Sequence, residues 1–422
     1  MEGVKMIGGP NSTQAEEWNN VKAKEKPVVS GVLFWLLVAM YTVAYNKDWR
    51  AITPLWYGIS ALTIMVLVGI VFVGKKSQVK LSFFVGWAVA FFAFCLLACL
   101  WALDMDASFD VMKTLLLVFV SHGLISSVLQ CKEDVNGILM ANLIALLVMA
   151  LYILFTLDLS QLGEDRLGGA THGEYWNAND LGLKLCVGVG LALYFAFKYQ
   201  KLWQRILFLA IAVLFGYLAL YTGSRKVLLM LMLTLLLLFW LKAKRHKIRA
   251  LLVAVACAVG VYLLVMNVEP LYNVLGVRVE EMLNGLFGEG TTEGSFNLRQ
   301  EMIEMGWDWF LERPIFGYGL ANFSVLYGEA TNFTTYAHNN FIEVLVSGGI
   351  VGFVLYYSIY VYLLVKLFKP AFQERDLLSI ILFSSNIILL VLQVALVSYY
   401  DTMCNCLLMI GVSYVNIRKK IQ

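Results

Sequence analysis

Three polar residues beside long apolar runs could together bind an anion and move a proton. His338, in YAHNNFIEVL, stands directly before an apolar run, and an imidazole with a pKa near neutrality suits a general base. Arg225, in YTGSRKVLLMLML, and Arg299, in NLRQEMIEMG, carry guanidiniums that can hold phosphate oxygens in pairs. Ser224 is predicted to cap the helix that follows, so free backbone N–H groups and the helix dipole add to the positive field. We therefore predict one anion-binding site built from separate parts of the chain.

Three further residues are weaker candidates for substrate binding. Arg166 is the only arginine or lysine in a loop with five acids, and two glycines close behind it would let backbone approach an anion; a solvated loop is the alternative. Lys184 lies just inside an apolar run, where it faces either a bound phosphate or the membrane interface. Asn339, next to His338, either contacts substrate or caps the following helix.

Asp104 and Asp106 form a D-x-D pair, a spacing that can hold a divalent cation. The alternative is a polar turn in which Asp110 caps the next helix. Two carboxylates alone are weak evidence for a metal site, so we favour the turn and predict no metal ligand.

The composition is that of a membrane protein, with 60% apolar and only 14% charged residues. A helix needs about 20 apolar residues to cross the hydrocarbon core. We find about twelve candidate runs: 28–44, 54–74, 81–103, 110–130, 135–156, 181–198, 206–222, 226–241, 250–266, 341–365, 377–397 and 402–416. The prediction is an all-α, polytopic helical membrane protein with about twelve transmembrane helices.

Lysine and arginine divide unevenly between the segments that connect these runs. With the N-terminus inside, the inside segments hold most of the positive charge, as the positive-inside rule requires. We therefore expect a cytoplasmic tail at 1–27, transmembrane helices 1–9 within 28–266, an extracytoplasmic loop at 267–340, and transmembrane helices 10–12 with a short cytoplasmic tail within 341–422. The first 27 residues lack the features of a cleaved signal peptide.

The long loop at 267–340 should contain short helices. Asn297 with Gln300 resembles a capping pattern, and Pro314 should end the helix that it starts. Arg299 falls in the first turn of that helix, among about ten acids, so a surface ion pair is the alternative to a ligand role. Glu343 lies one turn inside the next apolar run, where an ionisable group is costly without a partner.

Three segments resemble the bacterial O-antigen polymerase and O-antigen ligase superfamily: GSRKVLL, NLRQEMIEMGWDWFLERPIFGYGLANF and AHNNFIEVLVSGGIVGF. The framework of about twelve spans, with a long outer loop before the tenth, also resembles that family. Each motif alone is weak, and their order and spacing carry the resemblance. One departure is Lys226, which follows the arginine of GSR where a small residue is common.

The resemblance implies a glycosyltransferase of the bacterial cytoplasmic (inner) membrane, with its active site on the extracytoplasmic face. Its donor would be an undecaprenyl-diphosphate-linked glycan and its acceptor a glycan or a lipid-linked glycan. Arg225 and Arg299 would grip the diphosphate, while His338 would take the proton of the acceptor hydroxyl, with inversion at the anomeric carbon. We expect no cofactor, no metal ion and no nucleic acid; besides the lipid bilayer, a chain-length regulator is a further expected partner.

Two reactions fit this resemblance. A polymerase joins lipid-linked repeat units into O-antigen or capsule, and a ligase moves the finished chain to lipid A-core or another acceptor. The AHNNF…GGIVGF pattern and the compact loop favour the polymerase. A lipid-linked oligosaccharide flippase is a remote alternative, because we find no internal repeat and the informative residues lie at one face.

Overall fold

The computed structural model describes residues 27–73, 82–156, 163–164, 166–168, 177–243, 246–286 and 294–420. Over these ranges the chain is helical, without β-strands. In chain order the α-helices are α1 Gly31–Tyr45, α2 Lys47–Ala51, α3 Thr53–Val73, α4 Phe83–Ala98, α5 Met105–Val128, α6 Lys132–Thr156, α7 Ala178–Lys198, α8 Leu202–Tyr221, α9 Arg225–Lys242, α10 Lys247–Asn267, α11 Glu269–Leu271, α12 Val277–Leu286, α13 Gly294–Glu312, α14 Phe323–Thr331, α15 Asn340–Lys369, α16 Leu377–Leu392 and α17 Thr402–Lys419. Nearly all of the predicted tail at 1–27 lies outside the described residues.

Each of the twelve apolar runs corresponds to an α-helix, which confirms the predicted polytopic helical membrane protein. Among the described helices, eight are long and apolar enough by length and composition to cross a membrane. Two more, α1 and α16, are apolar but shorter. The remaining two of the twelve carry charge at their ends: Arg225, Lys226 and Lys242 on α9, Arg418 and Lys419 on α17.

Helix α7 lies inside the bundle, as shown by the burial of 16 of its 21 residues. Its glycines allow the neighbouring helices to approach closely. A Cβ at Gly182 would lie 2.2 Å from the side chain of Val227 on α9, and one at Gly188 would lie 2.6 Å from the Phe215 ring on α8. Small residues are the usual means of close helix packing in membranes. Helix α10, by contrast, exposes most of its apolar side chains, as expected of a lipid-facing helix.

Helix α15 is broken at Gly349, whose φ of 59° and ψ of −162° are not helical. The glycine-rich corner at 314–319 fills this break. A Cβ at Gly349 would lie 2.4 Å from the carbonyl of Ile315, so only glycine fits. Backbone groups freed by the break bond to the corner: Tyr318 N–H to Val346 O (2.9 Å), Gly319 N–H to Ser347 O (3.0 Å), Ile350 N–H to Pro314 O (2.8 Å) and Val351 N–H to Ile315 O (3.2 Å). The corner at 314–319 is thereby fixed to α15.

Two predicted boundaries were wrong. The loop helix α13 begins at Gly294 rather than after an Asn297 cap, although it does end before Pro314. The run predicted at 377–397 stops being helical at Leu392. Buried Asn340 forms hydrogen bonds with the backbone of residues 393–399. Its backbone N–H donates to Gln393 O (2.7 Å), and its Oδ1 accepts from the N–H groups of Ser398 and Tyr399. Tertiary hydrogen bonds therefore replace helical ones and turn this segment toward the outer loop.

Candidate active site

His338 is held in an unusual backbone conformation immediately before α15. Its φ is +50°, in the left-handed region that costs a non-glycine residue about 1–2 kcal/mol. Contacts on both sides fix it there. The N–H of the preceding residue, Ala337, donates to Oε2 of buried Glu343 (3.0 Å), and the ring of His338 lies 4.1 Å, centroid to centroid, from the ring of Tyr336. The imidazole is thus pre-positioned by its neighbours.

The electrostatic surroundings keep this imidazole neutral. Burial, and after it the positive charges of Arg299 and Lys226, lowers the pKa of His338 from 6.5 to about 4. At neutral pH the ring therefore carries no proton on one nitrogen and can accept one. The same two charges would be offset by an anion bound beside them, which would make the ring a stronger base.

Arg225 is the first residue of α9, at a tightly defined turn. Ser224 is the N-cap, as predicted: its Oγ accepts from Val227 N–H (3.5 Å) and donates to Oδ1 of Asn179 (2.7 Å) on α7. Gly223 has a φ of +60°, and a Cβ there would lie 2.7 Å from the carbonyl of Val274. Nη1 of the Arg225 guanidinium donates to the carbonyl of Arg278 (3.2 Å). The positive end of the helix dipole and the guanidinium therefore coincide.

Lys226 joins these cations, although the sequence analysis did not include it among the site residues. Its Nζ donates to the carbonyl of Ala395 (3.1 Å) in the segment that follows α16. The ammonium lies within electrostatic range of the guanidiniums of Arg299 and Arg225, and the His338 ring lies within range of Arg299 and Lys226. Lys226 of α9 thus links the two guanidiniums electrostatically, and the imidazole lies near Arg299 of α13 and Lys226.

Arg166 lies next to the turn that precedes α9. Its Nε donates to the carbonyl of Thr222 (3.0 Å), and its side chain packs where a Cβ at Gly223 would lie. The adjacent Leu167 N–H donates to the carbonyl of Tyr221 (2.9 Å). Arg166 therefore supports the turn that presents Arg225.

Lys184 is placed differently from the expectation that it faces a phosphate or the membrane interface. It is buried, and its Nζ lies 2.8 Å from Oδ2 of Asp180. Nζ of Lys47 lies 3.3 Å from the same carboxylate oxygen. Because Asp180 already engages the ammonium inside the bundle, this geometry favours a structural role for Lys184.

Asn339 acts as the N-cap of α15. Its Oδ1 accepts from the N–H groups of Phe341 (2.9 Å) and Ile342 (3.3 Å), and the residue is buried. Of the two roles considered from the sequence, the geometry favours the cap over substrate contact.

The D-x-D pair forms the start of α5. Oδ1 of Asp104 accepts from Ala107 N–H (3.0 Å), so Asp104 is the N-cap of α5. The prediction that Asp110 caps this helix was wrong. Asp110 instead pairs with Lys113 on the exposed side of the same helix (2.8 Å). Across the described ranges, no group of three or more His, Cys, Asp and Glu side chains has the arrangement of a metal site.

Arg225, Arg299 and His338 all lie within one segment that is similar to a known protein family. Residues 210–357 match the family model described as O-antigen ligase. Over this segment the chain is similar to the O-antigen ligase family. This confirms the resemblance to the O-antigen polymerase and ligase superfamily, and it holds for the segment that runs from α8 to the middle of α15. A search of curated proteins found no match.

The matched segment, residues 210–357, includes residues whose importance was not evident from the sequence. Lys226 was noted only as a departure from the family pattern, although its place directly after Arg225 in the first helical turn was a usable signal. Tyr336 stands two residues before His338 and contacts its ring. Glu343 was recognised as needing a partner, and that partner is the backbone N–H of Ala337, which no side-chain pattern could have indicated.

Proposed function

We propose that this integral membrane protein is an inverting glycosyltransferase that polymerises undecaprenyl-diphosphate-linked repeat units into a surface polysaccharide. The observation that carries the proposal is that Lys226 lies within electrostatic range of both Arg225 and Arg299, and that a neutral His338 lies within range of Arg299 and Lys226. The similarity to the O-antigen ligase family supports a lipid-linked glycan as substrate. The site then lies on the extracytoplasmic face of the bacterial inner membrane, as the charge pattern predicts.

The cations bind and stabilise the leaving diphosphate. When the bond between the anomeric carbon and the phosphate oxygen breaks, the electron pair stays on that oxygen, and negative charge grows there. Guanidinium and ammonium groups already in place strengthen their contacts as the charge develops. Such pre-positioned donors contribute roughly 3–4 kcal/mol each to lowering the barrier. Arg225, Lys226 and Arg299 thereby supply the positive charge that the leaving group requires.

The imidazole of His338 activates the acceptor. An acceptor hydroxyl attacks the anomeric carbon from the side opposite the diphosphate, and its proton passes to the free ring nitrogen. The new glycosidic bond forms as the bond to phosphate breaks, so the configuration inverts. General-base assistance of this kind contributes roughly 10²–10⁴-fold to the rate. The fixed backbone at His338 keeps the ring oriented without an ordering cost during the reaction.

A ligase is the second candidate, and the description of the matching family favours it. Both reactions use the same donor and differ in the acceptor. Deletion of the gene separates them. Surface polymer reduced to a single repeat unit indicates a polymerase, whereas accumulation of long polymer still attached to undecaprenyl diphosphate indicates a ligase.

A direct test of glycosyl transfer uses purified protein in detergent. The donor is the undecaprenyl-diphosphate-linked repeat unit isolated from a strain that lacks the gene. We expect release of undecaprenyl diphosphate together with formation of longer glycan, and neither product with His338→Ala. Detergent removes any transmembrane gradient, so turnover under these conditions is inconsistent with a flippase. Unchanged donor and no longer glycan with the wild-type protein would contradict the proposed function.

A further inference from the structure

A cavity of about 280 Å³ lies beside the candidate active site. Residues of the outer loop, of the start of α15 and of the segment between α16 and α17 provide its polar lining: Ser324, Thr335, Tyr336, Glu343, Tyr399 and Tyr400. It connects with the site through Tyr336, whose ring contacts that of His338. A ligand in this cavity would therefore lie one aromatic ring away from the proposed base.

Glu343 accepts fewer hydrogen bonds from the described residues than a carboxyl group can take. The residue is only 2% exposed, and within the described ranges its side chain accepts one hydrogen bond, at Oε2 from Ala337 N–H (3.0 Å). A carboxylate has two oxygens with about four lone-pair positions, and a buried polar group with unused positions is costly. Because Glu343 also lines the cavity, hydroxyl donors of a ligand there can fill those positions.

The remaining lining has the chemistry that recognises a sugar ring. Tyr336, Tyr399 and Tyr400 offer flat apolar faces together with phenolic hydroxyls, and Ser324 and Thr335 add two aliphatic hydroxyls. Sugars present C–H faces and many O–H donors, which match aromatic rings and a carboxylate respectively. The volume falls just below the roughly 300 Å³ at which small-molecule pockets begin, so one ring fits rather than an oligosaccharide.

We propose that this cavity, named here the Glu343 cavity, binds the terminal sugar of the acceptor glycan, the one whose hydroxyl receives the new bond. This inference rests on the proposed function, because it assigns the second substrate of the same reaction. Glu343 accepts hydrogen bonds from hydroxyls that do not react, which leaves the reacting hydroxyl directed toward His338. The donor diphosphate is held separately, by the cations of α9 and α13.

The test measures acceptor and donor kinetics separately. The acceptor probe is the repeat-unit oligosaccharide freed from its lipid, and the donor is the undecaprenyl-diphosphate-linked repeat unit. Glu343→Gln keeps an oxygen for Ala337 N–H but replaces the second carboxyl oxygen with an amide NH₂, which donates hydrogen bonds and does not accept them. We expect the KM for the acceptor to rise at least tenfold, while the KM for the donor changes less than twofold. Glu304→Gln, on the exposed side of α13, is the matched control and should change neither.

Tyr400→Phe provides a second, milder variant, because it removes one phenolic hydroxyl and keeps the ring that packs against Tyr399. It should raise the acceptor KM about threefold to tenfold, and it keeps the test decisive even where Glu343→Gln fails to fold. An unchanged acceptor KM in a folded cavity variant overturns the assignment of the Glu343 cavity. Failure of the proposed function itself gives a different result, in which even the wild-type protein transfers no sugar to the oligosaccharide acceptor.

Discussion

The pH dependence of turnover tests the role of His338 in most detail. Burial and the charges of Arg299 and Lys226 lower its pKa to about 4. A general base must be unprotonated, so the rate should rise with pH through the pKa of this group and remain level above it. At about pH 5.5 a group of pKa about 4 is roughly 97% neutral, whereas an ordinary histidine of pKa about 6.5 is roughly 10% neutral. The two cases therefore differ about tenfold in rate at that pH.

Donor binding should move this pKa. The diphosphate brings negative charge next to Arg299 and Lys226, which offsets the repulsion that they exert on the imidazolium. The profile of kcat/KM reports the free enzyme and that of kcat reports the complex. We therefore expect kcat to begin to fall at a higher pH than kcat/KM as the solution is acidified; these two falls are called the acid limbs. Lys226→Met removes one positive charge, so it should shift the kcat/KM limb toward higher pH.

The assay is release of undecaprenyl diphosphate in detergent between about pH 4 and pH 8. Lys242→Met, at the other end of α9, is the matched control and should leave both limbs in place. His338→Gln should lose the limb together with most of the activity. The electrostatic explanation of the His338 pKa would be refuted by the following result. The acid limbs of kcat and kcat/KM of the wild-type protein both lie near pH 6.5, and neither limb moves in Lys226→Met.

Three further predictions concern donor binding, chemistry and stability. His338→Ala should abolish turnover but leave donor affinity unchanged, as measured by binding of a fluorescent undecaprenyl diphosphate analogue; near wild-type turnover would exclude the base role. Arg225→Ala and Arg299→Ala should each reduce donor affinity at least tenfold and kcat by roughly 10²-fold, because each removes a charge-assisted contact to the diphosphate; unchanged affinity in both would place the diphosphate elsewhere. Gly349→Ala should lower stability by about 2–4 kcal/mol in thermal unfolding, since its Cβ would lie 2.4 Å from the carbonyl of Ile315 at a φ of +59°. Gly260→Ala is the control, because nothing lies within 4 Å of a Cβ at that position. An equal effect of the two substitutions would argue against close packing of the 314–319 corner into the break of α15 at Gly349.

The helical framework was predictable because the membrane imposes a simple rule. A span must satisfy its own backbone and present apolar side chains, so runs of about 20 apolar residues identify helices directly. The N-cap at Ser224 was predictable for a similarly local reason, since serine before a helix start is a strong signal. Boundaries set by distant contacts were not. Asn340 ends α16 through hydrogen bonds to residues 393–399, and this pairing across more than fifty positions leaves no local pattern.

The candidate site was predictable only in part. Arg225, Arg299 and His338 were identifiable from their residue types and from the resemblance, and their use as a catalytic set stays a prediction. Lys184 has the residue type of a phosphate ligand, but its ammonium lies against the carboxylate of Asp180. A buried ammonium needs an opposite charge beside it, and the sequence alone did not reveal that Asp180 supplies that charge. The Glu343 cavity depends on how residues of α5, of the long loop, of the start of α15 and of the segment between α16 and α17 meet. Tyr336 precedes the adjacent Tyr399 and Tyr400 by more than sixty positions, so only the fold brings the three rings to one cavity.

A density map of the protein with undecaprenyl diphosphate bound would test the central claim most directly. We predict that the two phosphates lie between the start of α9 and the first turns of α13, in contact with Arg225, Lys226 and Arg299, and that His338 faces the position of the departed sugar. Phosphates located instead at the opposite end of the bundle, near Lys242 and Lys247, would contradict it.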